Sequence, residues 1–116
     1  MINIIKHEES IRTAILSLHP IAREACQNMI TRLPDMSNIE NHKVLLIEEM
    51  FKCMAFSAHQ HGLDQDACES LIKSQGPQVI TIAVSVIHLQ RRNRSSGIAK
   101  GAAAVGLGII IGVLFG

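Results

Sequence analysis

The stretch Gln78–Leu89, QVITIAVSVIHL, decides the fold. Val79, Ile80, Ile82, Val84, Val86 and Ile87 are β-branched, and Thr81, Ala83 and Ser85 alternate with them at the period of two that marks a strand. A lone strand leaves its backbone donors and acceptors unpaired, and no other part of the chain offers a convincing partner. The stretch therefore reads as a buried helix, with Pro77 in its first turn, where the missing N–H is harmless. With that choice made, the whole chain reads as all-α: a small bundle of four to five helices followed by a C-terminal hydrophobic helix.

Upstream, Ile11, Ile15, Leu18, Ala22, Ala25, Cys26, Met29 and Leu33 recur at alternating steps of three and four, one stripe of an amphipathic helix. The stripe keeps its phase through Pro20, which leaves a kinked long helix or two helices with Pro20 opening the second. Leu33, Pro34 and Asp35 close this region. Ser37 and Glu40 have the spacing of a capping box and predict a helix from about Asn38 to Gly62, a plausible left-handed stop. Its core face is read as Val44, Ile47, Phe51, Met54, Ala55 and Ala58, making it the expected central helix. Leu63 and Asp64 then form a turn and N-cap, opening a short helix with Cys68, Leu71 and Ile72 inward that ends at Gly76 and Pro77.

Downstream lies the strongest signal in the chain. Gly101–Gly116 holds no charged or polar side chain, and eight of its sixteen residues are Val, Leu, Ile or Phe. As a helix it reaches about 24 Å, against a hydrocarbon core of ~30 Å, so a full span recruits Ile98 and Ala99 while Lys100 snorkels to the interface. The eight strong apolar residues favour insertion by roughly 2 to 5 kcal/mol, less what the glycines subtract. Residues 1–90 carry seven Lys/Arg against ten Asp/Glu, whereas Arg91, Arg92, Arg94 and Lys100 are positive together just before the tail. A positive flank beside an apolar run places that flank on the cytoplasmic side. The chain divides accordingly into a helical cytoplasmic domain over residues 1–90, a basic linker over 91–97 and a membrane segment over 98–116.

Ala104, Gly108, Gly112 and Gly116 repeat every four residues and would form one ridge of minimal side chains on a helix, along which a second backbone can approach closely. Such a tail resembles the glycine-zipper segments of many small membrane proteins, and the resemblance covers the tail alone. It implies helix association, either between copies of the chain or within a larger membrane complex such as a secretion or envelope machine.

Other chemistry finds little support. Cys53, His59, His61 and Cys68 fall within sixteen residues, but two histidines one residue apart point about 200° from each other on a helix, and no Cys-x-x-Cys pair is present. Glu48 with Glu49, and Asp64 with Asp66 and Glu69, read as solvated helix faces and helix-start charges rather than acid/base pairs or a calcium loop. The chain has no nucleophile elbow, phosphate-cradling loop or zinc-protease His pair. It reads as a non-enzyme without a cofactor or small-molecule substrate. With no Trp, no Tyr and three Phe, it lacks stacking surfaces for nucleic acid. Three widely spaced cysteines suit a reducing compartment, and the short apolar start at Ile2, Ile4 and Ile5 reads as packing rather than targeting.

The expected function is a tail-anchored structural or interaction protein whose partners are membrane lipid and other membrane helices. A membrane-permeabilising or toxin-like protein, and a soluble helical adaptor or chaperone with its tail buried in the core or in a partner, are the alternatives.

Overall fold

The computed structural model describes residues 3–33 and 38–95, with side chains through Gln90. Among them the chain forms four α-helices and one 3-10 turn: α1 (Glu8–Ser17), α2 (Pro20–Arg32), the turn Ile39–Asn41, α3 (Lys43–Gln60) and α4 (Gln65–Ser95). No strand occurs among these residues, so the β-branched stretch Gln78–Leu89 is helical.

The reason is visible in its burial. Val79, Ile82, Ala83, Val84, Ser85, Val86, Ile87 and Leu89 are all buried, and α4 packs against α1, α2 and α3. The buried residues take up most of the circumference, so the narrow polar row Gln78, Thr81, Ser85 and His88, at steps of three and four, is outweighed in the amino-acid order by the β-branched run, and helix propensity yields to tertiary burial. The central helix of the bundle is thus α4 rather than α3. It is also one helix where two were expected, because Gly76 and Pro77 interrupt nothing. Pro77 forfeits a single i→i−4 hydrogen bond. Gly76 is a point of close approach: a β-carbon built on it would lie 3.0 Å from Cε and Sδ of Met50 in α3.

The N-terminal stripe folds as read, with Ile11, Ile15, Leu18, Ala22, Ala25, Cys26, Met29 and Leu33 all buried. Pro20 opens a second helix rather than kinking one. The Ile21 N–H donates to Nδ1 of His19 at 3.1 Å, and the His19 N–H donates to Oε1 of Gln75 at 3.0 Å, tying the α1–α2 corner to α4. The extended start docks on α4 as well: the Ile5 N–H donates to Oγ of Ser85 at 2.8 Å, and the Ser85 hydroxyl donates to the Thr81 carbonyl at 2.6 Å. Gly62, at φ +76°, ends α3, and Oδ1 of Asp64 accepts the Ala67 N–H at 2.8 Å to cap α4.

Two details of α3 depart from the sequence reading. The helix starts at Lys43, after a 3-10 turn that Asn38 enters in the left-handed region at φ 56°. Ser37, the other half of the expected capping box, lies outside the described residues. The inward face is also rotated: Leu46, Met50, Cys53, Met54, Ser57 and Ala58 are buried, whereas Val44, Ile47 and Phe51 are 72, 45 and 48% exposed and Ala55 is exposed. Only Met54 and Ala58 of the expected face point inward.

Truncating the buried centre should therefore matter far more than truncating the face the sequence suggested. Ile82→Ala is expected to lower the unfolding free energy by about 2 to 4 kcal/mol in urea titrations, through lost transfer energy and a residual cavity. Val44→Ala should change it by less than about 0.5 kcal/mol.

Candidate functional site

The rotation of α3 creates the most distinctive surface of the body. Glu48, Glu49, Lys52, His59 and Gln60 cluster on one side of the helix, which leaves an apolar arc covering roughly half its circumference, wider than a single core contact requires. One part of that arc, Leu46, Met50 and Cys53, faces the core. The other, Val44, Ile47 and Phe51, faces outward. Between this outer row and α4 runs a cleft of about 470 Å³, lined by Lys43, Leu46, Ile47, Met50, Pro77, Ile80 and Thr81. All but Lys43 and Thr81 are apolar.

The two walls of the cleft run antiparallel. Near the start of α3, Oε2 of Glu40 pairs with Nε2 of His88 at 2.7 Å; farther along, Met50 lies over Gly76. The Glu40–His88 contact is half-buried and locks the 3-10 turn onto α4. Its hydrogen bond from His88, together with a backbone hydrogen bond, holds the Glu40 carboxyl below its ordinary range. A second His–Glu contact, His61 Nε2 to Glu24 Oε2 at 2.7 Å, joins the end of α3 to α2 at an exposed position.

The weak metal candidates disperse. Cys53 is buried and Cys68 half-buried, while His59 and His61 are exposed and His61 is engaged with Glu24. Among the described residues no group of three or more His, Cys, Asp or Glu side chains is placed to hold a metal ion. Desolvation, with the Cys53 thiol nearby, pushes the Cys26 thiol up to about 12, and burial raises Cys53 as well, so both stay protonated and unreactive at neutral pH.

The residues expected to serve the membrane lie at or beyond the end of α4. Arg91, Arg92 and Arg94 belong to its last turns, since the helix continues to Ser95, through most of the span 91–97 expected to be a linker. Lys100 and the ridge Ala104, Gly108, Gly112 and Gly116 lie outside the described residues. No helix among the described residues is long and apolar enough to cross a membrane. No family model, curated protein or solved structure matches the chain.

The outer row of α3 is what sequence reasoning missed. A stripe count selects the most regular apolar row and so puts Val44, Ile47 and Phe51 in the core, but on α3 two rows compete. The signal that could have separated them was the width of the apolar arc, which implies two interfaces rather than one.

The Glu40–His88 lock gives a pH signature. A carboxyl whose folded value is depressed adds stability above its unfolded value, and that stability is lost as pH falls through the folded value. Glu40→Gln should lower the unfolding free energy at neutral pH by about 1 kcal/mol or less, given the partial exposure of the pair. The difference from the parent should shrink below about pH 4.5, the ordinary carboxyl value, and vanish in stronger acid.

Proposed function

We propose that the protein is a non-enzymatic, tail-anchored membrane protein, a structural or interaction component that self-associates or joins a larger membrane complex through its tail. The single observation that carries this reading is Gly101–Gly116, sixteen residues without a polar side chain placed directly after a basic cluster. The helical body supports it by having a core of its own: among the described residues the buried cluster runs from Ile11 to Leu89.

In this reading Arg91, Arg92, Arg94 and Lys100 keep the body on the cytoplasmic face and meet anionic headgroups, each contributing about 1 kcal/mol near the surface. Ala104, Gly108, Gly112 and Gly116 let a second helix approach within van der Waals contact of the backbone. Neither role requires a cofactor.

Membrane fractionation tests both halves. The full-length chain should resist carbonate and high-salt washes and require detergent, while a version ending at Ser96 should be released by the washes. Gly112→Leu should keep the membrane association and lose crosslinked oligomers. Release of the full-length chain by carbonate would overturn the anchor, and undiminished crosslinking of Gly112→Leu would overturn the ridge.

A further inference from the structure

We propose that the outer row of α3 docks on the same row of a second copy of this chain, the two α3 helices lying parallel and in register. α2 and α4 hold the inner row of α3 and leave Val44, Ile47 and Phe51 exposed, and an apolar row facing water on a small body calls for a cover. The spacing of the row, three residues and then four, is that of a coiled-coil seam, with Val44 and Phe51 at a positions and Ile47 at d.

The charges beside the seam say what covers it. On an α-helix Lys43 and Glu48 stand about 70° to either side of the row's midline, in the g and e positions from which paired helices exchange ion pairs. Both are exposed, and among the described residues neither has an ion-pair partner within its own chain. In a parallel two-fold pair the g flank of each helix meets the e flank of the other. Lys43 of each copy then reaches Glu48 of its mate, and the contact occurs twice. An antiparallel pair matches each flank with itself and leaves Lys43 without that partner. The face is therefore self-complementary in one orientation, as a two-fold interface between identical chains requires.

A second helix laid along the row also closes the mouth of the α3–α4 cleft, because Lys43 and Ile47 border both. Since α4 runs antiparallel to α3, the parallel arrangement brings the C-terminal ends of both α4 helices to one end of the pair. The seam and its flanks expose less than the ~800 Å² per partner of a standard interface, so the pair is weak alone and fills where copies are concentrated. The geometry does not rest on the anchor reading: anchoring fails on the membrane washes, and this pair fails on the crosslinks below.

The test uses the full-length chain in intact cells, without detergent. Cys68→Ser removes the half-buried thiol, Cys26 and Cys53 are buried, and Ile47→Cys puts a reporter on the seam, with Lys52→Cys as an exposed control beside it. A short bis-maleimide should join Ile47→Cys chains to one another about tenfold faster than Lys52→Cys chains. Lys43→Glu or Glu48→Lys, added singly to Ile47→Cys, should slow that crosslinking about tenfold, and both together should restore it to within about twofold. Circular dichroism of the purified chains checks that each keeps the helical body. Single reversals without effect, or a double reversal that fails to restore crosslinking, would overturn the proposal. Equal crosslinking through Lys52→Cys would also overturn it, since association through the tails or chance collision gives that result without a seam.

Discussion

Everything in the body depends on the burial of one segment, Val79–Leu89, on more than one side at once. α1, α2 and α3 each pack against α4, and the small residues among its β-branched ones, Ala83 and Ser85, are buried with them. Two polar contacts fix where its neighbours sit. The Ser85 hydroxyl accepts the Ile5 N–H, and His88 holds Glu40. Each belongs to a residue inside the apolar segment, so the hydrophobic core and the register of the surrounding chain are set by the same helix.

That arrangement explains which parts of the fold were legible in the amino-acid order. The α1–α2 stripe was readable because those helices have one buried side and one wet side, so a period near 3.6 survives in the residue pattern. Asp64 as a cap and Gly62 as a stop were readable because both act locally. In Gln78–Leu89 the β-branched composition and its period of two outweigh a narrow polar row at helical spacing, Gln78, Thr81, Ser85 and His88, and the helix follows from the absence of a strand partner. Gly76 and Pro77 looked like a boundary because their roles are tertiary: Gly76 makes room for Met50, which a local reading cannot anticipate.

α3 was the least legible element, and the cleft followed from that. An apolar arc covering half the helix contains more than one row with acceptable spacing, and only packing against α2 and α4 selects Leu46, Met50 and Cys53 as the inner row. The remaining row then becomes surface. The tail reading is of a different kind, because it rests on composition alone: a run of sixteen residues with no polar side chain declares its preference for an apolar environment without saying which one.

The central claim is that residues 101–116 enter a bilayer while the helical body stays outside it. The chain has no Trp and no Tyr, so a single reporter introduced by Ile109→Trp, at the middle of the segment, is spectroscopically clean. With vesicles containing anionic lipid, its emission should shift to the blue and be quenched most strongly by lipids brominated near the bilayer centre. Emission that vesicles leave unchanged, or quenching only by a water-soluble quencher, would contradict the account.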